Sequence, residues 1–371
     1  MPDRPRIAFL TIHDMDGYVS DDELVREPLA RLGYELDAVP WDADVDWSRF
    51  RAVVLRTTWD YHDRLSEFLE VLERIEAAGC ELWNPSEVVR WNADKRYLGE
   101  LGDRGVPVVP TLYREADANL DLEALFSHFQ THDLIVKPTV GACAFDTFRV
   151  RNERSKLATA GADSFAEDSA RGDSTKSDSA KNDSAKNEST RSGPTRNDSL
   201  PSAAARREEA CSGAEGNDSS RREWFTGDVP YLAYTLENEE RIEAALRGRA
   251  YMAQPFVPEI LTSGETSLFY FNGRYSHAVL KMPKTGDFRV QEEYGGMITP
   301  ADPPRDLVET CGAIAQLFDP PLLYARVDIV RTGELFLLME LELIEPALYF
   351  RIVPGSAESF ADAIVDRLDR E

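Results

Sequence analysis

Residues 336–344 read FLLMELELI, an apolar stretch interrupted by two carboxylates, Glu340 and Glu342. The stretch predicts a β-strand, and the period of two in a strand places both glutamates on one face with Leu338 and Ile344. Buried carboxylates without partners are costly, so the pattern predicts cations beside them, most simply a divalent metal held by oxygen ligands. The alternative is an edge strand with both glutamates in solvent; the apolar residues at either end count against it.

Asp328 is the candidate for a third metal ligand. It interrupts the apolar run VDIV at residues 327–330, just before Thr332-Gly333, a pair that predicts a hairpin turn. A strict two-residue turn at that pair would place Asp328 on the face opposite the glutamates. Its convergence with them therefore requires a loop of odd length or a β-bulge.

Lysine is rare in this chain, which makes its positions informative. Outside residues 152–222 the chain has four lysines, namely Lys95, Lys137, Lys281 and Lys284. Lys137 lies in the apolar run LIVKP, immediately before the loop at residues 139–146, which contains Gly141; there backbone amides and an ammonium group can meet phosphate oxygens. Combined with the carboxylates downstream, Lys137 indicates a site for a Mg²⁺-nucleotide. The survival of Lys284 by chance remains a reasonable alternative.

The first 93 residues alternate strand and helix patterns. Residues 6–12 (RIAFLTI) and 52–57 (AVVLRT) read as buried strands, and each is followed by a helical stretch that ends at a glycine, Gly33 or Gly79. Alternating strands and helices predict a parallel sheet covered by helices. We therefore expect an α/β, Rossmann-like N-terminal domain at residues 1–93.

Two further folded segments and one low-complexity segment complete the chain. Residues 94–151 and 229–257 predict a small α+β unit, interrupted at residues 152–228 by a segment rich in Ser, Asp, Asn, Lys, Gly and Ala. That composition cannot bury a core and predicts disorder. Residues 258–371 contain hairpin signals such as Asn272-Gly273 and predict an antiparallel sheet with helices.

The chain is strongly acidic. It has 67 Asp and Glu against 42 Lys and Arg, a formal net charge of -25 at pH 7. This balance excludes the basic surface that binding to nucleic acid or to an anionic membrane requires. The sequence contains no apolar stretch of membrane-spanning length and no N-terminal export signal, so we expect a cytoplasmic protein. An acid-rich surface with few lysines is also expected for a protein that works in concentrated salt.

In their order along the chain, these residues resemble those of the ATP-grasp ligases. The matching elements are Lys95, LIVKP at 134–138, FRV at 148–150, MAQPFV at 252–257, Asp328 and ELE at 340–342. The resemblance covers almost the whole chain apart from the low-complexity segment, and it implies an ATP-grasp fold.

Two groups within this superfamily are particularly similar. Residues 281–296 match the spacing of arginines and of a Gly-Gly pair in the prokaryotic glutathione synthetase group. The cyclo-ligases that resemble the O-ureido-serine ligase of cycloserine biosynthesis are still closer. The shared strings are RTTWDY at 56–61, NPS at 84–86, RWN at 90–92, GDFRVQEE at 286–293 and ELELIEP at 340–346.

The resemblance implies an ATP site. Lys95 and Lys137 would hold ATP phosphates beside the loop at Gly141. Glu259 or a near neighbour would lie near the ribose. The hinge whose backbone contacts adenine would consist of Gln254, Pro255, Phe256 and Val257.

The resemblance also implies a catalytic centre. Asp328, Glu340 and Glu342 would bind Mg²⁺, with Mn²⁺ as an alternative, and Glu342 would replace the family's usual asparagine. Lys281 and Arg289 would stabilise the transferred phosphoryl group and the tetrahedral intermediate.

The implied reaction is ATP-dependent formation of a C–N bond. A small-molecule carboxylate attacks the γ-phosphate, and an amine then displaces phosphate from the acyl phosphate. A homodimer would be ordinary for this family. Two alternatives stay open: a catalytically weak, nucleotide-binding regulatory protein, favoured by the glycine-poor ACA that follows Gly141, and a scaffold whose segment 152–228 recruits partners.

Overall fold

The part of the chain that the structure describes contains three β-sheets together with α-helices. The structure is a computed structural model, and the described residues are 4–16, 18–142, 144–153 and 231–369. All of these except Glu153 belong to one compact unit. The segment predicted to be disordered, residues 152–228, lies outside the described residues apart from its first two positions, so its disorder stays a prediction.

The first sheet is parallel and covered by helices, as the alternating pattern predicted. Its strands are β1 (Arg6–Thr11), β2 (Glu35–Pro40), β3 (Ala52–Thr57) and β4 (Glu81–Trp83). The helices in this region are α1 (Arg26–Arg31), α2 (Leu65–Ala77) and α3 (Ser86–Asn92). The spatial order is β2-β1-β3-β4. Every residue of β3 is buried, which is why its sequence is a continuous apolar run rather than an alternating one.

The second sheet contains the strand that ends with Lys137. Its strands are β5 (Leu112–Arg114), β6 (Asp133–Pro138), β7 (Phe148–Arg151), β8 (Leu232–Ala233) and β9 (Tyr251–Pro255). The helices in this region are α4 (Tyr97–Asp103), α5 (Leu122–Phe129) and α6 (Leu236–Leu246). In the order β5-β9-β6-β7-β8, only β7 and β8 pair in parallel. Lys137 pairs with Met252, so the predicted phosphate lysine lies beside the predicted hinge strand.

The third sheet is antiparallel, as predicted. Its strands are β10 (Glu265–Phe271), β11 (Arg274–Met282), β12 (Met297–Ala301), β13 (Tyr324–Thr332) and β14 (Leu335–Glu342). Helix α7 (Arg305–Ala315) lies between β12 and β13, and helix α8 (Ser356–Leu368) follows β14. The spatial order is β12-β11-β10-β13-β14. Asn272-Gly273 forms the predicted turn between β10 and β11, with positive φ at both residues. The turn between β13 and β14 consists of residues 333–334, one position later than predicted, because Thr332 still pairs with Leu335.

Helix α8 packs the first sheet against the third. The ring of Phe360 contacts Phe9 on β1, Phe271 on β10 and Tyr324 on β13, with centroid distances of 4.9 to 6.2 Å. The three sheets lie within residues 6–83, 112–255 and 265–342, and the domain boundaries drawn from the sequence remain a proposal. Among the described residues, no helix combines the length and apolarity needed to cross a membrane.

Candidate active site

A cavity of about 200 Å³ lies where the three sheets meet. Eleven of the thirteen residues predicted for the site line it: Lys95, Lys137, Gly141, Gln254, Pro255, Phe256, Val257, Lys281, Arg289, Glu340 and Glu342. The other two, Glu259 and Asp328, do not line the cavity. The predicted residues that line the cavity therefore come from the second and third sheets and from the connections beside them.

A β-bulge brings Asp328 and Glu340 onto the same face. Ile329 pairs with Leu338, but Asp328 pairs with Glu340, so Met339 is the extra residue on β14. This bulge is one of the two conditions under which the sequence allowed the carboxylates to converge, the other being a loop of odd length. It also corrects one prediction: Leu338 lies in the core on the other face, because the period of two breaks at Met339.

The carboxylate of Asp328 is fully engaged by protein groups. It accepts hydrogen bonds from Ser267 Oγ at 2.6 Å, Arg326 Nη2 at 2.9 Å and Lys281 Nζ at 3.2 Å. Burial opposes its ionisation, but the charges of Arg326 and Lys281 lower the pKa of Asp328 to about 2. Asp328 is therefore a buried anion, held behind the cavity wall.

Glu340 and Glu342 reach the cavity with part of their side chains exposed, 29% and 26% respectively. Glu340 pairs with Lys95 at 3.0 Å, and Glu342 pairs with Arg326. Burial raises the pKa of Glu342 to about 7, and the charges of Asp328 and Glu340 add to the rise against the effect of Arg326. A divalent cation would relieve this repulsion, so the two glutamates fit the donor chemistry of Mg²⁺.

The donor set for a metal is incomplete without movement. In the described part of the chain, no group of three or more His, Cys, Asp and Glu side chains is arranged to hold a metal ion. Asp328 would have to release Arg326, Lys281 or Ser267 to become a ligand. Glu340 and Glu342 thus fit a cation as they stand, whereas the ligand role of Asp328 stays a prediction.

The two predicted phosphate lysines have different surroundings. Lys95 Nζ donates to the backbone oxygen of Gly141 at 2.6 Å and pairs with Glu340, which ties the loop to β14. Lys137 also lines the cavity, and within the described residues no hydrogen bond or ion pair engages its ammonium group. Burial lowers the pKa of Lys137, and the charge of Lys95 adds to this effect while Glu340 opposes it. The cavity therefore presents a cation that a bound anion can neutralise.

The two predicted catalytic cations are both held by carboxylates. Lys281 lies between Glu265 and Asp328, because its strand β11 pairs with β10 so that Lys281 faces Glu265. Arg289 makes a two-point contact with Asp287, the closer at 2.7 Å, and lies 3.7 Å from the ring centre of Tyr294. Both cations line the cavity in fixed orientations.

The predicted hinge forms an apolar end of the cavity. Phe256 stacks under the guanidinium of Arg149 at 3.5 Å and meets the ring of Phe288 edge to face. The side-chain nitrogen of Gln254 donates to Thr111 Oγ1 at 2.8 Å. A flat aromatic base matches this end of the cavity, whereas Glu259 lies outside the lining.

Arg326 is a functional candidate that the sequence analysis missed. Its buried guanidinium contacts both Asp328 and Glu342, and it donates to the backbone oxygen of Ala347 at 3.2 Å. A signal was present: Arg326 interrupts the same apolar run as Asp328, two residues earlier and therefore on the same face of β13.

Glu345 is a second missed residue. Its side chain lines the cavity, and among the described residues no hydrogen bond or ion pair engages its carboxylate. Burial raises the pKa of Glu345 to about 8, with the charge of Glu342 adding to the effect. Trp59 Nε1 holds the backbone oxygen of Glu345 at 3.0 Å, so the position of the residue is fixed by the first sheet.

Known proteins resemble this chain over nearly its whole length. Residues 7–84 match the family described as D-cycloserine synthetase DcsG, N-terminal domain. The cycloserine biosynthesis protein DcsG of Streptomyces lavendulae is 28% identical over 361 residues, which cover 92% of each protein. The crystal structure of D-cycloserine synthetase DcsG matches with a TM-score of 0.65 at 25% identity, covering 98% of this chain and 99% of that one. The D-alanine–D-alanine ligase of Bacillus anthracis shares the fold, with a TM-score of 0.54 at 12% identity over 99% and 98% of the two chains.

These similarities agree with the resemblance to the ATP-grasp ligases that the sequence indicated: the chain is similar in sequence to a cycloserine biosynthesis protein, and it shares its fold with a D-cycloserine synthetase and a D-alanine–D-alanine ligase. Within that class it resembles the cyclo-ligases of cycloserine biosynthesis, which confirms the expectation drawn from the sequence. The similarity to the glutathione synthetase group rests on the sequence spacing alone.

Proposed function

We propose that this chain activates a small-molecule carboxylate as an acyl phosphate and then directs an amine onto the activated carbon. One observation carries the proposal: Lys137 lines the cavity close to the charges of Lys95 and Glu340, and no hydrogen bond or ion pair from the described residues engages its ammonium group. A cation and a pair of carboxylates in one cavity suit a phosphate chain that arrives with a divalent cation.

Each end of the cavity has its own task in this proposal. Lys95 and Lys137 bind the phosphates, and the segment from Gln254 to Val257 receives the base beside Phe256. Glu340 and Glu342 would hold Mg²⁺, or Mn²⁺ in its place, and the bound cation would neutralise phosphate charge. Lys281 and Arg289 supply positive charge where the carboxylate oxygen meets the transferred phosphorus.

The acceptor end is walled by Trp59, Tyr61 and Glu345. We assign the amine to this end, because no cation engages the carboxyl group of Glu345 among the described residues, and an oxygen of that group can accept a hydrogen bond from an amine. The aromatic walls restrict the acceptor to a compact molecule. These contacts orient the nucleophile, and the protein itself supplies no covalent nucleophile.

The test is phosphate release from MgATP, screened against amino acids, dipeptides and ureido amino acids, with hydroxylamine as a general trap for an acyl phosphate. We expect a substrate-stimulated rate in the wild-type protein that falls at least about 100-fold in Lys137→Ala, because a phosphate loses its unshared cation. Lys284→Ala is the matched control, since Lys284 lies outside the cavity lining. ATP binding without any stimulated release, or equal rates in the two variants, would contradict the proposal.

Two further properties belong to the proposal. We expect the protein to work in concentrated salt, because its acidic groups far outnumber its lysines and arginines. We also keep the homodimer implied by the family resemblance, and sedimentation equilibrium at assay concentrations tests it.

A further inference from the structure

Strand β14, which carries Glu340 and Glu342, lies at the edge of its sheet. An edge strand ordinarily leaves one row of backbone N–H and C=O groups without a strand partner. Here the backbone N–H of Leu338 donates to the backbone oxygen of Pro107 at 2.7 Å, and side chains from residues 84–97 bind the row from Leu341 onward. The free edge of the strand is thus closed by a separate part of the chain.

Asn92 bonds to β14 much as a neighbouring strand would. Its side-chain nitrogen donates to the backbone oxygen of Leu341 at 2.8 Å, and its side-chain oxygen accepts from the backbone N–H of Leu343 at 3.0 Å. The hydroxyl of Tyr97 accepts from the backbone N–H of Leu341 at 2.9 Å. Leu341 stands between the two glutamates, and both of its backbone polar groups on the free edge are therefore bound.

Asn84 closes the end of the same strand. Its side-chain nitrogen donates to the backbone oxygens of Leu343 at 2.8 Å and Tyr324 at 3.0 Å, and its side-chain oxygen accepts from the N–H of Leu323 at 3.1 Å. Asn84 consequently fixes the end of β14 to the start of β13. Asn84, Asn92 and Tyr97 are all buried, with 1%, 7% and 2% exposed.

These contacts lie next to the point where the hydrogen-bonded pairing of β14 with β13 is interrupted. The bulge at Met339 interrupts the pairing of β14 with β13 immediately before Glu340. A bulged strand bends and twists, so its local backbone direction needs other restraints. The outer contacts at Leu341 and Leu343 supply them on both sides of Glu342.

We infer that Asn92, supported by Asn84 and Tyr97, is a positioning residue that sets the direction of Glu340 and Glu342 toward a bound divalent cation. This inference rests on the proposed role of those glutamates. Residues that orient metal ligands without touching the metal change metal affinity when they are replaced. Asn92 performs this task through the backbone of the ligand strand.

The test measures Mn²⁺ binding to the full chain by electron paramagnetic resonance, with and without ATP. We expect Asn92→Ala to weaken Mn²⁺ binding by about 10-fold to 100-fold. Tyr97→Phe, which loses one hydrogen bond, is expected to weaken binding by a few-fold. Thermal unfolding of each variant reports the loss of stability separately.

Tyr270→Phe is the matched control. Tyr270 is also buried and donates one hydrogen bond, to the backbone oxygen of Val308 at 2.7 Å, and among the described residues its hydroxyl makes no hydrogen bond to β14. We expect it to lower the unfolding temperature about as much as Tyr97→Phe while Mn²⁺ affinity stays at the wild-type value.

Each outcome has a distinct meaning. If the wild-type protein binds no Mn²⁺, the cation role of the glutamates fails, and the inference fails with it. If the wild-type protein binds Mn²⁺ and folded Asn92→Ala binds it equally well, only the inference is overturned. If Asn92→Ala does not fold, the comparison of Tyr97→Phe with Tyr270→Phe decides the question, and equal Mn²⁺ affinities in that pair overturn the inference.

Discussion

Buried charges of alternating sign surround the base of the cavity. Glu265 pairs with Lys281, Lys281 with Asp328, Asp328 with Arg326, and Arg326 with Glu342. The side chain of Lys281 is only 3% exposed, and its pKa lies above the usual range although burial opposes that rise. In such surroundings each charge depends on its partners, because water cannot replace them.

Replacement of Lys281 by methionine tests this dependence. Lys281→Met keeps much of the apolar side chain but leaves Glu265 without its cation and Asp328 with Arg326 alone. We expect the free energy of unfolding to fall by about 3 to 5 kcal/mol, the usual effect of breaking a buried ion pair. Urea unfolding followed by circular dichroism measures the change.

A second substitution identifies the cause. Glu265→Gln in the Lys281→Met background removes the orphaned charge, so we expect it to restore most of the lost stability. Wild-type stability in Lys281→Met alone, or no recovery in the double variant, would show that the network does not carry the stabilisation assigned to it.

Single residues differ in how far sequence could predict their surroundings. Glu340, Glu342 and Lys137 were predictable because a charge in an apolar strand needs a special partner, and all three line the cavity. The hydrogen bonds and ion pairs of Asp328 could not be predicted, because Ser267 and Lys281 belong to other strands and the sequence does not specify the register of those strands. The hydrogen bonds of Asn92 could not be predicted either, because they go to backbone groups and so do not depend on which side chains the partner residues carry.

Strand β14 shows where the period of two fails to predict which face of a strand a side chain lies on. The period of two correctly placed Glu340 and Glu342 on one face, where they pair with Asp328 and Arg326 of β13, and it misplaced Leu338. The bulge responsible is a property of two paired strands rather than of one. The turn at Asn272-Gly273 was predicted at the correct residues, because both residues tolerate the positive φ that the turn requires, whereas the turn after β13 lies one position later than predicted.

His277 on β11 provides a pH-sensitive contact between elements. Its ring stacks on Phe269 at 4.2 Å, and Nε2 lies 3.0 Å from the backbone oxygen of Leu348, the segment that follows β14. Burial lowers the pKa of His277 to about 4, although the hydrogen bond to Leu348 opposes this. The folded protein therefore favours the neutral ring.

The sign of the pH effect follows from this shift. Between about pH 6.5 and pH 4 the unfolded chain binds a proton at His277 that the folded chain does not bind. The stabilising contribution is complete above pH 6.5 and is lost as the pH falls toward 4, by up to about 3 kcal/mol. Urea unfolding between pH 7 and pH 4 measures it.

His277→Gln is the control for this titration. Glu345, with its pKa raised to about 8, contributes in the opposite sense, so the informative quantity is the difference between the wild-type and variant curves. We expect that difference to shrink steadily as the pH falls from 6.5 to 4. Parallel curves would contradict the assignment.

At the scale of the whole molecule, the first sheet holds the segment that carries the site. Arg56 donates to the backbone oxygen of Pro346 at 3.1 Å, and Trp59 donates to that of Glu345 at 3.0 Å. Asn84 and Asn92 hold the strand just before it. Three of the strings behind the family resemblance thus contact a fourth, ELELIEP at 340–346, which gives the resemblance a structural reason.

Because of its net charge, the stability of the folded chain is expected to depend on salt concentration. The formal charge of -25 lies almost entirely outside residues 152–222, which contain 13 acidic and 12 basic residues. Repulsion among surface carboxylates opposes the compact state, and salt screens it, since the Debye length falls from about 10 Å at 0.1 M to about 3 Å at 1 M. We therefore expect the unfolding temperature to rise by more than about 5 °C between about 0.1 M and 2 M KCl.

A variant with fewer surface charges separates screening from other effects of salt. Glu70, Glu237 and Asp362 are exposed, and their replacement by Gln, Gln and Asn removes three negative charges without opening the core. If repulsion limits stability, this variant unfolds at a higher temperature than the wild-type protein in low salt and gains less from KCl. An unfolding temperature that stays flat or falls with KCl would show that the acidic surface is not under repulsive strain, and the proposed adaptation to salt would be wrong. Because the screening concerns the surface, the order of Mn²⁺ affinities among the β14 variants should stay the same at both salt concentrations.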